Sequence, residues 1–133
     1  MEQQLFHTEQ QLMSQSPSPA RLAGQLMDAA EQLASSGDVA SAILYVERAK
    51  SHEKENPTIW FQLARYNSML HRYRRAESCA LRTIRFASDD IQLQVKGWRL
   101  IEHVRLLSGD DKNSHYAANR ANELEKKLIV SHN

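Results

Sequence analysis

The sequence predicts an all-α fold, built as an antiparallel helix-hairpin stack. Only four Gly and three Pro occur among 133 residues, which is too few for a turn-rich all-β fold. From residue 18 on, apolar residues recur at helical spacing. Ser-Gly-Asp turns at 36–38 and 108–110 interrupt this pattern. We therefore expect six helices joined by very short turns between residues 18 and 130.

The first two helices have clear boundary signals. Ser18 followed by Pro19 is typical of an N-cap residue and a proline at the first helical position. Gly37 is placed to end this helix, and Asp38 is placed to cap the next one. These signals predict a hairpin over about residues 19–53.

The second and third hairpins begin with similar signals. Asn56-Pro57 predicts the start of the third helix, which reaches about residue 70, and the fourth ends near residue 87. The turn between them, at 71–72, contains no helix-breaking residue. Asp89 and Gln92 have the spacing of a capping box before the fifth helix. A Gly-Asp turn at 109–110 then starts a sixth helix that runs to about residue 130. The predicted hairpins cover about residues 57–87 and 90–129.

Residues 1–17 are predicted to be a flexible leader rich in Gln, Ser and Pro, with a transient helix near residues 5–13 as the alternative. Residues 1–20 contain two acidic residues and no Lys or Arg, so no signal peptide is expected in them. The domain organisation is therefore a leader at 1–17 and a helical domain at 18–130.

The hairpins repeat along the chain. A step of about 34 residues places Leu26 in register with Trp60, and the next step places Trp60 in register with Trp98. The Gly-Asp turn at 37–38 recurs at 109–110, two steps later. The second step is the longer one, and its extra residues fall around 88–94. Such a period is the mark of a repeat architecture, in which neighbouring units share one continuous core.

Over roughly residues 19–125 the chain resembles the tetratricopeptide repeat (TPR) family. The matching positions are Trp60-x2-Leu63-Ala64, Trp98-x2-Ile101, and the series Gly37-Asp38, Ala42 and Ala49. The resemblance implies about three TPR-like repeats in a right-handed α-solenoid. Small residues would let helices approach closely, and both tryptophans would lie in the core. The chain departs from the family pattern at Lys54, Asn67, Glu102 and Arg105, and Glu102 at a normally small position suggests a degenerate third repeat.

The same resemblance implies where a partner would bind. In TPR proteins the first helix of each hairpin lines a concave groove that holds a peptide or protein segment. The corresponding residues here are Met27, Asp28, Glu31, Phe61, Gln62, Arg65, Ser68, Met69, Lys96, Arg99, His103 and Leu106. Apolar side chains next to Arg and His suit a protein ligand. Phe61 has an alternative interpretation, which is packing under a neighbouring helix or the leader.

Charge is distributed unevenly although the net charge is only +1. Residues 65–105 hold nine Lys or Arg against four acidic residues, and five arginines fall on the fourth helix: Arg72, Arg74, Arg75, Arg82 and Arg85. A solvated convex face explains them, and so does a docking site for an acidic partner. RNA or anionic lipid is a further alternative, although no RNA-binding motif supports it.

The sequence contains no pattern typical of an enzyme, a cofactor site or a metal site. The six His show no His-x3-His pair, the four Gly do not cluster into a phosphate-binding loop, and Cys79 has no His at helical contact spacing. Adjacent acidic residues at 89–90 and 110–111 are explained by helix capping. We therefore expect a non-enzymatic scaffold or adaptor.

A narrower resemblance concerns the segment KGWRLIEHVRLLSGD, which looks like the end of the small TPR outer-membrane lipoproteins of gammaproteobacteria. This resemblance implies a periplasmic, outer-membrane-associated protein that supports envelope or secretion-system assembly, with a lipid anchor absent from this chain. The alternatives are a cytoplasmic, co-chaperone-like adaptor and a structural module that forms homo-oligomers. No nucleic-acid partner is expected.

Overall fold

A computed structural model of the chain describes residues 18–131, and within that range all regular structure is α-helical. This confirms the all-α prediction. The helices are α1 (Pro19–Ser35), α2 (Val39–His52), α3 (Pro57–Met69), α4 (Tyr73–Phe86), α5 (Ile91–Leu107) and α6 (Asp111–Ser131). The leader predicted for residues 1–17 lies outside the described residues.

The helices form two compact units that divide between Glu55 and Asn56. In the first unit α1 packs against α2. In the second, α3 packs against α4, α4 against α5 and α5 against α6, and α3 also touches α5. Each unit is therefore built from antiparallel helix pairs. Of the helices in the described range, none has both the length and the apolar character needed to cross a bilayer.

The turns within the three hairpins have the same backbone geometry. In each, one residue takes a positive φ, and the N–H of the next residue donates to the carbonyl five residues earlier, as in a Schellman motif. The positive-φ residues are Gly37 (95°), His71 (60°) and Gly109 (82°). The hydrogen bonds run from Asp38 to Leu33 (2.9 Å), from Arg72 to Asn67 (2.9 Å) and from Asp110 to Arg105 (2.8 Å). The weakly marked middle turn is thus a regular one, in which histidine occupies the glycine position.

Two of these turns are completed by an aspartate that caps the next helix. Asp38 accepts a hydrogen bond from the Ser41 N–H and Asp110 from the Asn113 N–H. The side chains of Ser41 and Asn113 also donate to the Asp38 and Asp110 carboxylates, respectively. These side-chain hydrogen bonds are the main reason that the pKa of each Asp lies below its usual value. In the middle hairpin the equivalent N-cap residue is Arg72, whose side chain makes no capping hydrogen bond.

The capping box predicted from Asp89 and Gln92 is not formed, and the N-cap of α5 lies one residue later. Asp90, not Asp89, is the N-cap, and its carboxylate accepts from the Leu93 N–H at 3.0 Å. The position three residues after Asp90 is Leu93, which cannot complete a capping box, and the side-chain amide of Gln94 donates to the Ser88 carbonyl of the preceding turn. The physical cause is the turn before the helix, where Ser88 has a φ of 53° and shifts the start of the helix by one position.

Small residues allow close helix packing at the positions that the repeat pattern assigns to them. The six alanines in this set have no exposed surface: Ala30, Ala42, Ala49, Ala64, Ala76 and Ala121. The closest approach measured at a glycine lies between α4 and α5. A Cβ added to Gly97 would lie 2.7 Å from Ile84 Cγ1 and 3.4 Å from the Ala80 carbonyl oxygen. Only a residue without a side chain fits there in the present packing.

Both tryptophans are buried, with 8% of Trp60 and 9% of Trp98 exposed. Each is covered by an arginine from the second helix of its own hairpin. The guanidinium carbon of Arg82 lies 4.8 Å from the Trp60 ring centroid, and that of Arg120 lies 5.7 Å from the Trp98 ring centroid. Because Arg82 and Arg120 stand at the same distance along the chain from their tryptophans, the repeat includes this cation–π contact.

The departures from the family pattern have identifiable contacts. Asn67 is buried and donates its amide to the Leu63 carbonyl at 2.8 Å. Arg105 links three helices, because it donates to Glu77 Oε1 of α4 at 2.7 Å and to the Asn113 carbonyl of α6 at 3.0 Å. Polar side chains thus replace the expected aromatic ones by making hydrogen bonds within and between the packed helices.

Candidate protein-binding surface

The side chains predicted to line a groove in the second unit lie on α3 and α5, which contact each other. Because the step from Trp60 to Trp98 carries α3 onto α5, each predicted position on α3 has an equivalent on α5. The equivalent pairs are Phe61 and Arg99, Arg65 and His103, Ser68 and Leu106, and Met69 and Leu107. We call this set the α3/α5 face. Its side chains change in character from one end of the helices to the other.

The carboxyl-terminal end of the α3/α5 face is apolar and exposed. Met69 is 52% exposed, Leu106 is 50% exposed and Leu107 is 51% exposed. Leu107 was not among the residues predicted from the sequence, although the repeat step applied to Met69 points to it. Exposed large apolar side chains that lie next to polar residues are candidates for contact with a partner.

One turn earlier the same face carries a guanidinium and an imidazole side chain. Arg65 and His103 are both exposed. The Nη1 of Arg65 donates to Gln62 Oε1 at 2.7 Å, which ties Gln62 and Arg65 together on the surface of α3. The remaining guanidinium donors of Arg65 can pair with a carboxylate of a ligand.

Arg99 has a structural task that the sequence did not reveal. Its Nη2 lies 2.9 Å from Glu125 Oε1 and 2.7 Å from Asn122 Oδ1, both on α6. Its Nη1 donates to Glu102 at 3.1 Å, so the charge at the normally small position is neutralised locally. The hydrogen bond to Glu125, and to a smaller extent the one to Glu102, raises the pKa of Arg99. Most of its donors are therefore occupied within the hairpin, and its part in ligand binding stays a prediction.

Phe61 and Lys96 lie toward the amino-terminal end of the same two helices. Lys96 is exposed and Phe61 is half-buried. In the third hairpin the side chain equivalent to Phe61 is Arg99, and it reaches the second helix of its own hairpin. This comparison favours internal packing for part of the Phe61 ring, which was the alternative at the sequence level. Its role as a ligand contact remains a prediction.

The three predicted residues of the first unit lie together on α1. Met27 is half-buried, whereas Asp28 and Glu31 are exposed. The two carboxylates border an open surface depression with the polar residues Gln32, Ser35 and Ser36. Asp28 and Glu31 thus make this depression of the first unit polar and acidic.

The described residues offer few groups for catalysis. Among residues 18–131 no group of three or more His, Cys, Asp or Glu is arranged to hold a metal ion. Cys79 is buried, with 2% of its surface exposed. What the described surface presents is a mixture of apolar and cationic side chains, which is the chemistry of protein recognition.

A comparison with known proteins supports the fold and indicates a class. No protein-family model matches the chain, and no curated protein matches it. A search of solved structures finds the globular C-terminal domain of P. aeruginosa LpoP, with a TM-score of 0.73 and 28% sequence identity. The similarity covers 75% of this chain and 94% of that domain. The described part of the chain is thus all-helical, with a fold similar to that of the LpoP domain. The TPR relationship remains a resemblance of sequence.

Proposed function

We propose that this protein is a non-enzymatic adaptor that binds a segment of another protein on the α3/α5 face. The observation that carries the proposal is the exposure of three large apolar side chains, Met69, Leu106 and Leu107, one turn from the exposed side chains of Arg65 and His103. Apolar anchors surrounded by donors are typical of protein-recognition sites. The exposure of these side chains suits contact with an extended or helical segment of a protein.

We further propose that the protein acts in the bacterial envelope, in the periplasm and associated with the outer membrane. Two similarities support this. The segment at residues 96–110 resembles the small TPR outer-membrane lipoproteins, and the fold resembles the LpoP domain of P. aeruginosa. Antibody detection in separated periplasmic, membrane and cytoplasmic fractions of the source cells tests the location, and recovery only in the cytoplasmic fraction would contradict it.

Site-specific photo-crosslinking tests the binding surface and identifies the partner in the same experiment. A benzoylphenylalanine in place of Met69 or Leu107 should capture one dominant protein in living source cells, identified by mass spectrometry. The matched control places the same group at Lys127, which is exposed on α6 away from the α3/α5 face. Equal capture of the same protein from all three positions would contradict the assignment to this face.

A homo-oligomeric structural module is the second candidate. It is favoured by two exposed apolar residues near the end of α6, Ile129 (65% exposed) and Val130 (73% exposed). Against it, α6 also exposes polar and charged side chains, among them Asn122, Glu123 and Lys126, as expected of a terminal repeat that faces water. Light scattering at high micromolar concentration decides between them, because a monomer removes the oligomer from consideration.

A further inference from the structure

The second surface of interest is a pair of arginines on α4, Arg82 and Arg85, which we call the arginine pair. Arg82 lies over the Trp60 ring at 4.8 Å, and Arg85 lies over the Phe86 ring at 5.7 Å. Both residues are exposed, so their N–H groups can reach solvent while aromatic rings support the guanidinium groups. Stacking limits the freedom of a guanidinium and thereby lowers the entropy that it loses on binding a ligand.

The third hairpin contains an equivalent arginine, and there it has an acidic partner. Arg120, which is equivalent to Arg82, lies over Trp98 and pairs with Glu123 at 3.1 Å. The residue equivalent to Glu123 on α4 is Arg85. In the third hairpin the stacked arginine therefore has a carboxylate three residues later, whereas in the second hairpin it has a second arginine at that position.

No carboxylate within residues 18–131 compensates the arginine pair. Glu77 is the one acidic residue of α4, and its Oε1 is bound by Arg105 at 2.7 Å. Neither Arg82 nor Arg85 makes a hydrogen bond or an ion pair with the described part of the chain. Two cations three residues apart on a helix repel each other, so an external anion between them would be stabilised by both.

From these contacts we infer that the arginine pair binds an acidic segment of a partner protein, with a carboxylate taking the place that Glu123 occupies beside Arg120. Leu81, which is 42% exposed and adjacent to Arg82, supplies an apolar contact next to the charges. Guanidinium groups bind carboxylates through two parallel hydrogen bonds, and a side-by-side pair of arginines suits a segment with neighbouring Asp or Glu. This docking surface lies on α4 and does not depend on the α3/α5 face.

A reciprocal exchange of side chains provides the variants. Arg85→Glu copies the Arg120–Glu123 arrangement onto α4, so that Arg82 becomes paired and the protein is expected to fold normally. Glu123→Arg creates a second arginine pair beside Arg120. Lys126→Glu, at an exposed position on α6, changes the net charge as much as Arg85→Glu does and serves as the matched control.

The probe is a blocked helical peptide with neighbouring Glu residues and one Leu on the same face, titrated into the full chain. Binding is followed by NMR through the arginine Nε–H and Trp60 indole signals. The wild type should show shifts at Arg82 and Arg85. Arg85→Glu should weaken binding by about tenfold or more, whereas Lys126→Glu should stay within about threefold. Glu123→Arg should produce new shifts at the Arg120 signal.

Three outcomes would overturn the inference. If Arg85→Glu and Lys126→Glu weaken binding equally, only net charge matters. If the same peptide with Gln in place of Glu binds as well, carboxylates are not recognised. If vesicles of phosphatidylglycerol and phosphatidylcholine shift the arginine signals while the peptide does not, the surface recognises an anionic lipid surface and not a protein. Circular dichroism of each variant establishes that the fold is retained.

Discussion

Replacing Gly97 by Ala tests how closely α4 and α5 pack. The added Cβ would lie 2.7 Å from Ile84 Cγ1 and 3.3 Å from its Cδ1. Carbon atoms in contact prefer a separation of about 3.5–4.0 Å, so the overlap is about 1 Å. Cγ1 is not the mobile end of the side chain, and the Ala80 carbonyl at 3.4 Å restricts movement on the other side. The two helices must separate or Ile84 must leave its rotamer.

The magnitude follows from two opposing effects. Overpacking a tight contact costs about 1–3 kcal/mol. Alanine in place of glycine within a helix contributes about 1 kcal/mol in the opposite direction. We therefore expect Gly97→Ala to lower the free energy of unfolding by up to about 2 kcal/mol. The matched control is Gly24→Ala on α1, where no atom of residues 18–131 outside the adjoining helix backbone and chain neighbours lies within 4 Å of the added Cβ, and there we expect a gain of about 0.5–1 kcal/mol.

Urea denaturation followed by circular dichroism measures both free energies, and a double-mutant cycle with Ile84→Ala identifies the cause. Removing Cγ1 of Ile84 should relieve the overlap, so that Gly97→Ala becomes less harmful by at least about 1 kcal/mol in that background. If Gly97→Ala stabilises the protein as much as Gly24→Ala does, the close approach of α4 and α5 is refuted.

Three further predictions concern the hairpin turns and the link between helices. His71→Gly should raise the free energy of unfolding by about 0.5–1 kcal/mol, because a φ of 60° is unfavourable for histidine. A lower free energy of unfolding, measured by urea denaturation, would contradict the shared turn geometry. Arg105→Met should lower the free energy of unfolding by about 1–3 kcal/mol through loss of the Glu77 contact. An unchanged denaturation midpoint would show that the Arg105–Glu77 pair has no net effect on stability. For pH, the lowered pKa of Asp38 and of Asp110 means that their stabilising contribution is present above the unfolded-state pKa of about 3.9 and is lost as pH falls through the lower folded-state values. The double replacement of these two residues by Asn keeps the caps and should make acid unfolding less steep below about pH 4, whereas an unchanged acid transition would contradict the assignment.

The sequence predicted the helices well because their ends are marked by local chemistry. Ser18 and Asp38 act as N-caps at the predicted places, and the side chain of Asn56 accepts from the Thr58 N–H at the start of α3. The turn at His71 was marked less clearly, since its left-handed conformation is imposed by packing of the two flanking helices. Nothing in a single-sequence pattern requires histidine to adopt it.

The candidate site was only partly predictable, because side-chain partners far apart in sequence decide which groups face a ligand. Arg99 of α5 is held by Glu125 of α6, and no local pattern signals that contact. The arginine pair was also not predictable as a binding site, since its missing carboxylate becomes evident only by comparison with Arg120 and Glu123 in another hairpin. Leu107 could have been found by applying the repeat step to Met69.

The central claim, that the α3/α5 face binds a protein segment, is tested most directly by affinity for the protein captured through Met69. Isothermal titration with the purified partner compares the wild type with the combined Phe61→Ala and Arg65→Glu variant and with Met69→Glu, each shown to be folded. We expect a loss of affinity of about 100-fold for Met69→Glu and for the combined variant, since removal of an interface anchor or reversal of a paired charge costs about 2–4 kcal/mol. Unchanged affinity in both would contradict the central claim.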